Sequence, residues 1–251
     1  MKNIELWKIL ENSFMNTVNI TNLKKVYGST IAVDIPLLNI KQGEIVGFVG
    51  NNGAGKTTLF RLILDLIKTT TGFVKLNGKE VANDDKWKTT TGSYLDTNFL
   101  IEFLTAKEFF YFTGSVYKLS NTEIDSRIVA FERFMNDEIV LKNKYIHDFS
   151  SGNKQKVGII SAIIIYPDIL ILDEPFNFLD PTSQMELKHL LRNLNLKYKT
   201  TIIISSHNIE HIVDISSRII LMEKGRVIKD LDNYTEKVIS ELQQYFELYN
   251  A

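Results

Sequence analysis

A chain of 251 residues, 44% apolar and 24% charged, is long enough to bury the core of one large α/β domain, with or without a subdomain. Its net charge of −1 gives no basic footprint, so no nucleic-acid partner is expected. There is no cysteine, which excludes disulfides, zinc–thiolate sites and thiol nucleophiles.

The N-terminal extension, residues 1–16, places Ile4, Trp7, Leu10 and Phe14 at helical spacing, with Lys2, Glu5, Lys8 and Glu11 between them. It reads as an amphipathic surface helix or as a plain appendage. No continuous apolar leader is present. The longest mostly apolar run, residues 157–166, is halted by Pro167 and falls short of the roughly twenty residues that span a bilayer. The expectation is a soluble protein, or one that sits on a membrane through a partner.

Residues 18–49 read as short strands, punctuated by turn chemistry at Gly28-Ser29-Thr30 and Lys41-Gln42-Gly43-Glu44. The last of them, Ile45–Val49, runs into Gly50-Asn51-Asn52-Gly53-Ala54-Gly55-Lys56-Thr57-Thr58, and a helix-like stretch follows at residues 59–64. This fits G-x-x-x-x-G-K-[ST], the P-loop, in the strand–loop–helix context the motif requires. Glycines let backbone N–H groups close around phosphate oxygens, and the helix adds its positive dipole end. Asn51, Asn52, Gly53, Ala54, Gly55, Lys56, Thr57 and Thr58 are therefore the candidate nucleotide contacts. Lys56 has the reach for the β- and γ-phosphates, and the Thr57 hydroxyl is a candidate Mg²⁺ ligand.

Residues 72–76 predict a strand entering a hairpin turn at Asn77-Gly78. The pattern turns helical from about residue 100 to 144. Thr105 and Glu108 form a capping box, and Phe109, Phe110, Tyr111 and Phe112 after it read as a small helical core rather than a ligand site. Phe149-Ser150-Ser151-Gly152 precedes an apolar helix; Ser150 and Gly152 suit an anion site, and equally an ordinary helix cap. The apolar runs Ile169–Leu172 and 201–204 fit strands of a parallel sheet covered on both faces. The first ends in Asp173-Glu174, which is either a metal-holding aspartate followed by a general base or a solvated acidic turn; beside a P-loop the former reading prevails. His207 ends the second run, placed for a γ-phosphate or for a purely structural bond. Val238, Leu242, Tyr245 and Phe246 predict an amphipathic helix in the tail, residues 231–251.

The order of these pieces carries a resemblance. P-loop, helical insert, Ser-x-Gly-x-Lys-Gln before a helix, an apolar strand into Asp-Glu-Pro, Leu179-Asp180-Pro181 and Ser-Ser-His together resemble an ATP-binding cassette (ABC) ATPase over residues 18–229. The resemblance implies an α/β P-loop NTPase core with a mostly parallel sheet, an N-terminal antiparallel β subdomain and a helical subdomain near residues 97–160, within a domain of residues 17–230. It implies ATP and Mg²⁺, with Thr57, Asp173 and Asp96 toward the metal, and Glu174, His207 and Lys56 as catalytic groups. Tyr27 falls where the family stacks an aromatic on adenine, although a turn tyrosine also packs for its own sake. Residues 149–153 match the signature loop that, in the family's dimers, reaches the nucleotide held by the other subunit. Asp180 matches the loop that communicates between the two sites.

The resemblance further implies a homodimer, or a heterodimer with another cassette, driving a separate transmembrane permease from the cytoplasmic face. The compact single cassette resembles bacterial exporter subunits. A non-transport ABC ATPase and a regulatory module of low turnover are the alternatives. The pattern departs from the family at Phe149, Ser151 and Asn153 in the signature, at Asp96 where glutamine is common, and at Phe178 where glycine is usual.

Overall fold

The computed structural model describes residues 16–135, 139, 144–232, 240–242 and 244–245. The expected helix at residues 1–14 lies outside them, as do Val238 and Phe246 of the tail. The described residues form two compact units, one from those up to Lys88 and from Thr201 onward, the other from Thr89–Thr200.

In the first unit the chain begins with β1 (Asn16–Tyr27), β2 (Thr30–Lys41), β3 (Ile45–Val49), α1 (Lys56–Ile63), β4 (Thr71–Leu76) and β5 (Lys79–Glu80). It crosses the second unit as β6 (Thr91–Tyr94), α2 (Ala106–Val116), α3 (Asn121–Val129), α4 (Glu132–Met135), α5 (Ser151–Ile163), β7 (Ile169–Leu172) and α6 (Pro181–Tyr198). It returns to the first as β8 (Thr201–Ser206), α7 (Ile209–Ile215), β9 (Arg218–Glu223) and β10 (Arg226–Asp232).

The first unit holds an antiparallel sheet in the order β2-β1-β4-β5. Its first two strands run 12 residues each, longer than the turn signals suggested. Val33 and Ile35, then Leu38 and Ile40, face the core, a period-2 pattern that shifts by one residue across the exposed Pro36-Leu37. Asn77 and Gly78 both take positive φ at the predicted hairpin, as that turn requires. Strand β3 is buried at every residue. It pairs in parallel with β8 on one side and β9 on the other, and β10 extends the sheet antiparallel. A β-carbon at Gly47 would lie 2.1 Å from the Ile212 side chain, so the glycine is what lets α7 rest on this strand.

In the second unit β6 and β7 pair in parallel. Helix α5 lies close on them, since a β-carbon at Gly158 would sit 2.6 Å from the Tyr94 ring. Capping boxes start both α2 (Thr105 with Glu108) and α3 (Ser120 with Glu123). Phe109 and Phe110 join Ile124, Ile128 and Phe134 in the buried core. The aromatic run is only half core, because Phe112 is half exposed and the Tyr111 hydroxyl donates to Asp125 at 2.7 Å. A helix turns every 3.6 residues, so four consecutive aromatics cannot share one face. Among the described residues no helix is long and apolar enough to cross a membrane.

Candidate functional site

The P-loop leaves β3 at Val49 and closes at Gly55, the N-cap of α1, in the left-handed region at φ +101. No side chain caps this helix and no acidic residue stands in its first turn. The helix's own first turn therefore sets no carboxylate against its amide dipoles, which suits an incoming anion. Walls set the glycines: a β-carbon at Gly50 would lie 2.4 Å from the Met222 carbonyl, and one at Gly55 2.6 Å from that of Ala32. Gly53 takes φ +83 with open space around it, so conformation alone calls for glycine there. The loop is braced from behind, where the Gly225 amide donates to the Ala54 carbonyl at 2.9 Å. Lys56 is buried, and its ammonium donates to the Gly50 carbonyl at 2.5 Å, spanning the loop. Asn51, Asn52, Gly53 and Thr57 are exposed along the rim, with Thr58 half-buried and Ala54 buried beneath.

Register brings His207 to the same edge. Val49 pairs with Ser206, so the P-loop and His207 leave adjacent parallel strands side by side. The imidazole residue is exposed. Tyr27 ends β1, 52% exposed, with the Lys25 ammonium 4.8 Å from its ring centroid. The hairpin it belongs to approaches the P-loop through the Ala32 carbonyl that walls Gly55.

The second unit repeats the device. Tyr94 pairs with Leu172, and the Asp173 amide donates to the Tyr94 carbonyl at 2.8 Å, so Asp96 and Asp173-Glu174 leave adjacent strands at one edge. Burial first, then the carboxylates of Asp96 and Asp173, push the Tyr94 phenol well above its usual range. Asp173 is buried and Glu174 half-buried, the latter at φ +47. The Asp96 carboxylate accepts from the Asn98 amide at 2.7 Å, capping a short 3₁₀ turn at Thr97–Phe99. A glutamine side chain is too long for this Asx turn.

The segment from Asp173 to Asp180 is clamped at several points. Gln155, buried on α5, donates to the Pro175 carbonyl at 2.5 Å, and Gln184 on α6 donates to that of Phe176 at 3.1 Å. The Ser150 hydroxyl accepts from the Asn153 amide at 3.3 Å as the N-cap of α5. Gly152 abuts the Phe178 backbone, since a β-carbon there would come 2.6 Å from its carbonyl oxygen. Asp180 caps α6, accepting from the Ser183 amide at 3.0 Å and hydroxyl at 2.5 Å. Those bonds, the hydroxyl's first, hold its carboxyl below the ordinary value.

The candidates thus fall into two groups. Tyr27, the P-loop and His207 belong to the first unit; Asp96, Ser150, Gly152, Asp173, Glu174 and Asp180 belong to the second. Sequence reasoning held Gln155 within the Ser-x-Gly-x-Lys-Gln run without its bracing role, and missed the supporting residues Gln184 and Gly225. Lys224-Gly225 was readable as a hairpin turn, and both residues take positive φ, but its bond to the P-loop spans 171 residues of chain and leaves no local signal.

Known proteins are similar to this chain over most of its length. The ABC transporter family model matches residues 34–177. The bacitracin transport ATP-binding protein BcrA of Bacillus licheniformis is 33% identical over 215 residues, covering 85% of this chain and 69% of that protein. The methionine import ATP-binding protein MetN 2 of Bacillus cereus is 31% identical over 240 residues, covering 91% and 70%. Among solved structures, the dimeric post-hydrolysis state of the ATP-binding cassette MJ0796 with ADP and Pi superimposes with a TM-score of 0.78 at 27% identity, covering 87% of this chain and 99% of that one. With a family match over more than half of its length and relatives above 30% identity across most of it, the chain belongs to the ABC transporter family, as an ATP-binding subunit that hydrolyses ATP.

Proposed function

We propose that two cassettes close around two ATP molecules, each held by one P-loop and the opposite signature loop, and that this cycle drives a separate membrane permease at the cytoplasmic face. The observation that carries the reading is the P-loop itself: a buried Lys56 and an uncapped helix N-terminus behind glycines that closed walls (Gly50, Gly55) or a left-handed backbone (Gly53) require. ATP exchanges the Lys56–Gly50 bond for bonds to its phosphates. Tyr27 stacks on the base through its exposed face. Ser150 and Gly152 meet the γ-phosphate of the partner's nucleotide.

Glu174 is the general base. It accepts the proton of the attacking water, and its loop is held against drift by Gln155 and Gln184. His207 and Lys56 stabilise the charge that builds on the γ-phosphoryl oxygens. Thr57 and Asp173, with Asp96 as a third, are the oxygen donors that would hold Mg²⁺, whose charge would offset that of the phosphates.

Glu174→Gln tests the chemistry: turnover is expected to fall by about 10²- to 10⁴-fold, the usual weight of a general base, while an ATP-bound dimer accumulates. Unchanged turnover would remove Glu174 from that role. Purification from native membranes in mild detergent tests the partner. A stoichiometric polytopic membrane protein supports the transporter assembly, and recovery with ribosomes or chromosome instead overturns it.

A further inference from the structure

Phe178 occupies an unfavourable place for its side chain. It takes φ +58, the left-handed region that a bulky residue enters only under strain. Its side chain is 75% exposed, while Phe176 and Leu179 beside it are buried. The loop is not loose enough to explain this as wandering. Gln155 and Gln184 hold the Pro175 and Phe176 carbonyls, Asp180 is fixed as the cap of α6, and Gly152 presses on the Phe178 carbonyl. A rigid loop therefore displays one aromatic ring outward, against both its backbone preference and its hydrophobicity.

We infer that Phe178 is an anchor for a second copy of this chain in the nucleotide-bound dimer. The inference rests on the proposed dimer and adds a residue that selects the partner. The occupant follows from continuity: Phe178 touches the signature loop through Gly152 and lies two residues from Asp180, so it belongs to the face given above to the other subunit's nucleotide. A two-fold dimer uses the same patch twice, so one anchor per chain makes two per assembly. Buried aromatics on preorganised loops carry a disproportionate share of interface energy, because little ordering remains to be done on binding.

The test uses the full chain in the Glu174→Gln background, with ATP, and reads the dimer dissociation constant by analytical ultracentrifugation beside thermal stability. Phe178→Gly is expected to raise the melting temperature, since it relieves the left-handed strain, and to weaken the dimer about tenfold or more. Phe178→Tyr keeps the ring and is expected to dimerise as Glu174→Gln alone. Loss of stability and affinity together in Phe178→Gly marks a merely structural residue and overturns the inference. Equal dimerisation with and without the ring also overturns it, while leaving the proposed function intact. If Glu174→Gln with its native Phe178 forms no homodimer under ATP, the inference falls, while the proposed function stands on a heterodimer with another cassette.

Discussion

At single positions the molecule is governed by what a β-carbon or one hydrogen would meet. Gly55→Ala puts a methyl 2.6 Å from the Ala32 carbonyl at φ +101, and the P-loop has no neighbouring slack to absorb it. The expected result is a loss of about 1–3 kcal/mol in urea unfolding, together with weakened ATP binding by calorimetry. Asp180 offers a pH test. Its folded pKa lies below the ordinary value of 3.8, so its contribution is complete above pH 3.8 and disappears as pH falls through the lowered value. Asp180→Asn keeps a capping oxygen without the charge. The wild type is expected to be more stable at pH 7 by less than about 1 kcal/mol, given the carboxylate's exposure, and the gap should close as pH falls below 3.8 through the lowered value. The glycine motif and its lysine were legible in the sequence because their geometry is local. The left-handed backbone at Glu174 and Phe178 was not, since neither residue type signals it.

Among elements, register and caps do the positioning. Parallel pairing of Val49 with Ser206, and of Tyr94 with Leu172, delivers two pairs of candidate residues to two strand edges. Three of the four strands behind these pairs were readable as apolar runs, and the Thr105 capping box was readable too; β6, Thr91-Gly92-Ser93-Tyr94, was not. The pairing partners were not, because register between strands distant in sequence depends on packing rather than on either run alone. Helix α5 supplies the clamp on the catalytic loop. Gln155→Ala leaves the Pro175 carbonyl buried without its partner, at about 1–3 kcal/mol, and should lower turnover more than ATP affinity. Equal effects on both would assign Gln155 to folding alone. Asp96 separates two roles in the same way. Asp96→Asn preserves the Asx turn and removes charge, whereas Asp96→Gln loses the turn. A change in metal dependence in both Asp96→Asn and Asp96→Gln would mark the carboxylate as a ligand, and loss of activity only in Asp96→Gln would mark it as a cap.

For the molecule as a whole, ligand binding and folding share one free energy. ATP at about a hundred times its dissociation constant adds roughly 2.7 kcal/mol to the folded state. A rise in melting temperature with ATP is expected in the wild type and should vanish in Lys56→Ala, measured by differential scanning fluorimetry; a surviving shift would place the nucleotide elsewhere. The ordered set of loops made the family legible across nearly the whole chain, while the braces at Gly225 and Gln184 depend on contacts that no motif encodes. The placement of β3 between β8 and β9 also constrains how the protein is made. All five of its residues are buried in the finished fold, yet both neighbours are encoded more than 150 residues later. At about 5–20 residues per second, a nascent chain carries this apolar segment without a ladder partner for on the order of ten seconds. A ribosome stalled before codon 201 would thus hold a P-loop sequence with no P-loop structure, dependent on chaperones and unable to bind ATP.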